Sequence, residues 1–280
     1  MWPRNDVIDL LGIEHPIFQA PMGGESTPAL ATAVSNAGGL GGVGCSFMTL
    51  DEIRETASTL RAGTNRAFNL NFFAHPEPVV DEAAESATRE RVAPFYTELG
   101  LGEPPDTGSP SCDPFDGAKL EMLLDIRPPV VSFHFGLPDV AMVRALQDAG
   151  SVIVCSATTV AEAVQLADAG IDIIIAQGWE AGGHRGTFHV SPDDFGVGTM
   201  ALVPQIVDAV DVPVIAAGGI ADGRGIAAAF ALGASGVQMA PPFCRARRPR
   251  FPTATATYYA MPRTARRGCR LPIRAGPRGC

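Results

Sequence analysis

A (β/α)8 barrel is the fold class this sequence predicts, and three observations predict it. Eight short, almost wholly apolar runs recur along the first 240 residues, as strands buried on both faces of a parallel sheet should. Amphipathic stretches of helical period separate them, and many of these end in a glycine just before the next run. No GxGxxG follows the first run, so the rival open doubly wound sheet lacks its main signal.

The elements follow in order. The first strand is predicted over 16–22, and Thr27 followed by Pro28 marks the next helix start, because proline suits the first helical position. That helix closes at Asn36-Ala37-Gly38, ahead of strands over 40–45 and 67–73. Residues 100–116, rich in Gly, Pro, Asp and Ser, read as an irregular insertion between the third helix and the fourth strand, not as a domain linker. The fourth strand covers 130–134, and its helix closes at Asp148-Ala149-Gly150 before a fifth strand over 151–155. Thr159 with Glu162 three residues on reads as a capping box. That helix ends at Asp168-Ala169-Gly170, the sixth strand covers 172–176 and the seventh 212–217. Leu232-Gly233 closes the seventh helix before the last strand, over 236–239.

Composition narrows the function classes. With 280 residues, 46% hydrophobic and 18% charged, the chain can bury a large core, which excludes disordered and fibrous classes for most of its length. No apolar run approaches the roughly 18 residues that span a bilayer. The opening MWPRNDVIDLLGIEHP has no basic segment leading into an apolar one, so no secretory leader is expected. Cysteines at 45, 112, 155, 244, 269 and 280 form no CxxC pair and no short-spaced metal set. A reduced, cytoplasmic protein without a metal is the expectation. Residues 241–280 hold ten Arg and no Asp, Glu or Lys, so the first 240 residues carry a net −19 within the overall −9. That acidic body argues against nucleic acid as a partner, and no membrane partner is expected.

In a barrel, chemistry collects where strands end and βα loops begin. Those positions read Gln19-Ala20-Pro21-Met22-Gly23-Gly24, Asn69-Leu70-Asn71-Phe72-Phe73 and His134-Phe135-Gly136. Then come Gln177-Gly178-Trp179-Glu180-Ala181-Gly182-Gly183-His184-Arg185-Gly186, Ala217-Gly218-Gly219-Ile220 and Gln238-Met239. Amides and glycines dominate, which suits a planar heteroaromatic cofactor bearing a phosphate: amides pair with the ring edge, and glycine N–H groups approach the phosphate.

Taken together, the APM first strand, NxNFF, HFG, QGxEAGGHRG and AAGGI in this order closely resemble the nitronate monooxygenases, formerly called 2-nitropropane dioxygenases, over about residues 8–239. The resemblance implies an FMN-dependent barrel that oxidises an alkyl nitronate, such as propionate 3-nitronate, with O2 to a carbonyl compound and nitrite, without a nicotinamide cofactor. It implies FMN contacts from Asn71, Gln177, Gly182, Gly219 and Gln238, with Met22 beneath the flavin through its backbone. Gly218, in the same turn as Gly219, and Met239, beside Gln238, join the cofactor-binding set. The family's catalytic histidine falls at His184, where a neutral imidazole takes an α-proton or an imidazolium holds an anionic nitronate. His134, at the end of the fourth strand, is the second catalytic candidate, orienting substrate at the same mouth.

Each residue also has a plainer role open to it. Asn71, Gln177 and Gln238 can satisfy backbone groups at the barrel rim, Gly218-Gly219 can be a turn only, Met22 can be core, and His184 can structure its own loop. Cys45 and Cys155 read as small buried apolar residues. His15, His75 and His189 read as surface or loop residues, and Arg185 as a partner of Glu180 rather than a catalyst. Two other functions remain: a related flavin-dependent enoyl reductase with a nicotinamide donor, and an inactive FMN-binding remnant.

After the eighth strand the chain departs from the family's Gln-Met-Gly-Thr-Ala-Phe-Leu, reading Gln238-Met239-Ala240-Pro241-Pro242-Phe243-Cys244. Restoring one G ahead of the codons for Ala-Pro-Pro-Phe-Cys allows Gly-Thr-Ala-Phe-Leu, which points to a one-base deletion. The sequence therefore divides into a 1–239 FMN-binding barrel and a 240–280 Arg/Pro-rich tail expected to be frameshifted and disordered, with the C-terminal completion missing or aberrant. At Pro241 the chain lacks an N–H where the family has a threonine.

Overall fold

The computed structural model describes residues 2, 5–77, 81–105, 113–189 and 196–240. Its eight strands are β1 (Ile17–Gln19), β2 (Gly41–Gly44), β3 (Phe68–Phe73), β4 (Val130–His134), β5 (Val152–Ala157), β6 (Ile173–Gln177), β7 (Val214–Ala217) and β8 (Gly236–Met239). They pair in parallel in the order β1-β8-β7-β6-β5-β4-β3-β2. A parallel bridge between Phe18 and Leu40, with Gln19 N donating to Leu40 O (2.9 Å) and Leu40 N to Ile17 O (3.0 Å), joins β1 to β2 and closes the barrel. Every strand overlaps a predicted run. β5 and β6 continue past their predicted ends, because polar Ser156 and Gln177 interrupt the apolar pattern while still pairing in the sheet.

Alternation along the strands separates two apolar layers. Phe18, Val130, Val154, Ile173, Ile175, Ile215 and Ala217 cluster inside the barrel. Val7, Leu11 and Ile13, from and just after helix α1 (Asp6–Leu11), join that cluster. Their neighbours Val131, Phe133, Ile174, Ala176 and Ala216 face outward into the layer shared with the helices.

Those helices are α2 (Pro28–Asn36), α3 (Leu50–Gly63), α4 (Glu82–Glu98), α5 (Gly117–Ile126), α6 (Val140–Asp148), α7 (Val160–Asp168), α8 (Thr199–Val207) and α9 (Gly223–Ala231). Thr27 caps α2 by accepting from Leu30 N, with Pro28 at its start as predicted. The glycines at the predicted closings, Gly38, Gly150, Gly170 and Gly233, all take left-handed φ between 84° and 96°. The predicted capping box at α7 is only half formed. Thr159 accepts from Glu162 N, but the Glu162 carboxylate turns away from the Thr159 N–H to other donors. A complete box occurs instead at Thr49 and Glu52 of α3, where the glutamate stays at the surface. Ahead of the predicted insertion, α4 buries no residue, and after it α5 packs on the core through Met122, Leu123 and Ile126; residues 106–112 of that insertion lie outside the described residues. The predicted tail beyond Ala240, including Pro241, lies outside the described residues.

Candidate active site

At the carboxyl ends of β3 and β4, inward-facing side chains form a small polar lattice. Asn71 Nδ2 donates to Ser132 O (3.2 Å) and Ser132 Oγ (2.9 Å), and Asn69 Nδ2 donates to the same hydroxyl (2.8 Å). Because a carbonyl only accepts, the Ser132 O contact fixes which way the Asn71 amide points. Asn71 Oδ1 bonds to no described residue, and Asn69 Oδ1 is buried without a partner. Ser132 was not among the expected site residues, although its alternate position in Val130-Val131-Ser132-Phe133-His134 marks it as facing the mouth.

The β6 loop is held by its backbone. Gln177 Nε2 donates to His184 O (3.0 Å), and Gln177 Oε1 accepts from Gly186 N (2.7 Å). His134 Nε2 lies 3.1 Å from the same His184 carbonyl, so it must be the protonated ring nitrogen. Burial is the main force holding the His134 pKa down to about 4, which keeps the ring neutral at ordinary pH. The loop glycine makes room for that ring, since a Cβ on Gly186 would lie 2.4 Å from His134 Cε1.

His184 is exposed, and neither ring nitrogen bonds to a described residue. Its ring stands edge-on to Phe73 (5.4 Å) and Phe135 (5.5 Å). Phe135 adopts a left-handed φ of 65°, unusual for a bulky residue, and its ring meets Phe73 at 4.9 Å. An apolar wall therefore flanks an unengaged imidazole.

The turn after β7 is crowded from one side. Gly218 and Gly219 have φ of 117° and 68°, and a Cβ on Gly218 would lie 2.7 Å from Thr199 Oγ1. The N–H groups of Gly218, Gly219 and Ile220 donate to no described residue, and α9 starts immediately beyond them. Gly182 and Gly183 border open space. Gln238, next to last in β8, is half-buried and bonds to no described side chain or backbone outside the sheet.

Two expected cofactor residues are otherwise engaged. Met22 N donates to Ser26 Oγ (2.8 Å), and Met22 O accepts from Glu25 N (3.1 Å) and Ser26 N (2.9 Å), so its backbone is tied into its own turn. Met239 does not join the mouth: its side chain packs in the outer layer under the helices, and its carbonyl accepts from Ala20 N (2.9 Å). The expected Arg185–Glu180 pair is also corrected. Arg185 stacks over the Trp179 ring at 4.9 Å, and Glu180 accepts from Thr199 N (2.7 Å) and Oγ1 (2.9 Å) at the start of α8. Those backbone and hydroxyl donors hold the Glu180 carboxyl below its usual range, overcoming a desolvation effect that acts the other way. A cavity of about 190 Å³ lies between Gln177, Gly178, Trp179, Ala181 and Arg185. Cys45 and Cys155 are fully buried, as expected. Among the described residues there is no metal-binding cluster, and no helix is long and apolar enough to cross a membrane.

Comparison with known proteins supplies a family. A model described as nitronate monooxygenase matches residues 4–260. A nitronate monooxygenase of Paraburkholderia phytofirmans is 46% identical over 242 residues, covering 86% of this chain and 66% of the relative. Another from Pseudomonas aeruginosa is 48% identical over 236 residues, covering 84% and 67%. The chain thus spans about two thirds of the length of these curated relatives. The solved structure of a nitroalkane oxidase from Streptomyces ansochromogenes superposes with a TM-score of 0.81 at 39% identity, covering 90% of this chain and 72% of that one.

Proposed function

The chain belongs to the nitronate monooxygenase family, and from that premise we propose that it binds FMN at the barrel mouth and oxidises alkyl nitronates with O2 to a carbonyl compound and nitrite. The residues present fit that cofactor. Asn71 Oδ1 and the Gln238 amide are uncommitted polar groups at strand ends, able to pair with a ring edge. The unengaged N–H groups of Gly218, Gly219 and Ile220, beside the start of α9, suit a phosphate at the position where this fold usually binds one. When bound, FMN supplies the redox chemistry that passes substrate electrons to O2.

The observation that carries the reading is the unengaged His184 imidazole beside the Phe73–Phe135 wall, on a backbone clamped by Gln177 and His134. A free ring nitrogen there takes the α-proton of a neutral nitroalkane and, once protonated, stands as the counter-charge to the nitronate it has made. The aromatic wall orients the alkyl part and excludes water from that side. His134, neutral and donating to the loop, acts on the reaction through His184.

Purified protein should be yellow and release FMN on denaturation. Nitrite should form from alkyl nitronates in proportion to O2 consumed, without NADH. His184→Asn should keep the flavin and lower turnover of neutral nitroalkanes by about 10²–10⁴-fold, with a smaller loss on preformed nitronates, whose α-proton has already left. Rapid anaerobic reduction of the flavin by NADH with no turnover of nitronates would instead favour the reductase chemistry.

A further inference from the structure

Away from the mouth, one buried ionisable side chain concentrates more hydrogen bonds than any partner of the site: Glu162, in the first turn of α7 and 0% exposed. Its Oε2 accepts from Thr158 N (2.6 Å) and Thr158 Oγ1 (2.7 Å). Its Oε1 accepts from Phe188 N (2.7 Å) and His189 N (3.0 Å). All four partners are donors, which matches a carboxylate and not an amide. Thr187 Oγ1 lies 2.9 Å from Thr158 Oγ1, whose hydrogen is already given to Glu162, so Thr187 is the donor in that pair.

Thr187, Phe188 and His189 are the continuation of the loop that carries His184. Gln177 and His134 fix the loop at residues 184 and 186. Among the described residues, the N–H groups of Phe188 and His189 have no acceptor other than Glu162. With Gly182, Gly183 and Gly186 in the same stretch, the backbone resists bending only where side chains hold it.

We propose that Glu162 is a positioning residue for the oxidation reaction: by clamping residues 187–189 to the β5–α7 turn it fixes the far end of the loop, and so the place of the His184 imidazole over the mouth. The proposal rests on the reading of His184 as the base. It adds an anchor that touches neither substrate nor cofactor.

The test is Glu162→Gln in the flavin-loaded enzyme. The amide oxygen can serve either the Thr158 donors or the Phe188–His189 pair, and its NH2 then opposes the other set. Hydrogen exchange at Phe188 and His189 should accelerate by about 10-fold or more while the rest of the barrel keeps its protection. Flavin content should hold. Turnover of neutral nitroalkanes should fall by about 10- to 100-fold, the cost of a catalytic group displaced by about 1 Å, with less loss on preformed nitronates. Glu162→Gln combined with His184→Asn should be no slower than His184→Asn alone, because there is no base left to misplace. Thr158→Val removes the hydroxyl that donates to Glu162 and accepts from Thr187 but leaves the Phe188 and His189 amides on Glu162 Oε1, so exchange at those two should stay close to wild type. If Glu162→Gln does not fold, Glu162→Asp, too short to reach both donor pairs, is measured in the same way. Unchanged exchange at Phe188 and His189 in a folded variant overturns the clamp. Losses that multiply in the double variant, or that fall equally on both substrates, overturn the positioning role. A wild-type enzyme inert towards nitronates would sink the functional reading separately, with the exchange measurement still deciding the clamp.

Discussion

Gly186→Ala tests the geometry of the loop without touching any polar atom. The new Cβ would lie 2.4 Å from His134 Cε1, 2.7 Å from Nδ1 and 3.1 Å from Nε2. Carbon atoms pack at about 3.5 Å or more, so the ring must retreat by about 1 Å. Its 3.1 Å contact with His184 O then passes out of hydrogen-bonding range. The backbone φ of Gly186 is not left-handed, so the whole cost lies in that collision. Overpacking costs about 1–3 kcal/mol and the lost hydrogen bond about 1 kcal/mol more. For a barrel of this size that corresponds to a fall of roughly 5–15 °C in the melting temperature. Gln177 still holds His184 O, so the loop is loosened but not released. Thermal melts of the flavin-loaded protein, with nitroalkane turnover alongside, measure both effects. Combining Gly186→Ala with His134→Ala removes the ring that the methyl strikes and loses the His184 bond only once, so the pair should be more stable than the sum of the single changes by about 2–4 kcal/mol. Strict additivity, or a Gly186→Ala protein that melts with wild type, would refute the clash.

Two further outcomes follow from ionisation. His134 is held at about 4 against 6.5 for the free side chain, so between those values the unfolded chain binds the extra proton and stability is lost as pH falls from 6.5 towards 4. The loss is at most about 3 kcal/mol, and His134→Gln should flatten that part of the urea-midpoint profile; an identical profile in the variant would refute the assignment. Burial pushes the Cys45 thiol up to about 12 and raises that of Cys155 as well. Both should resist alkylation in the folded protein, as mapped by mass spectrometry, and labelling of either one ahead of unfolding would count against their burial.

The barrel was legible because its signals are local and repeated. An apolar run of four to six residues can hide only in a sheet covered on both faces, and a glycine that ends a helix declares itself just before each next strand. Helix α1 escaped because six residues, with only Val7 and Leu11 buried, make too short a period to read. The α7 capping box misled for a different reason. The spacing of Thr159 and Glu162 states which bond a glutamate can make, but not that Phe188 and His189, more than twenty residues away, offer it better donors.

The same limit explains which parts of the site were legible. Sequence position places Asn71, Gln177, His134 and His184 in or just after strands at one end of the barrel, because strand ends are set by the fold. What each polar atom does there depends on which neighbours reach it first. Gln177, His134 and the backbone of Met22 all resemble ligand-facing groups, yet the bonds they make go to the protein's own loops. If His184 is the proposed base, its glycine-rich loop needs such holders, since a fixed backbone lets the side chain meet its substrate without an ordering cost at each turnover. Substitutions at Gln177 or His134 should therefore be judged by whether His184 stays in place as well as by whether flavin is retained, because the geometry ties both residues to the same carbonyl.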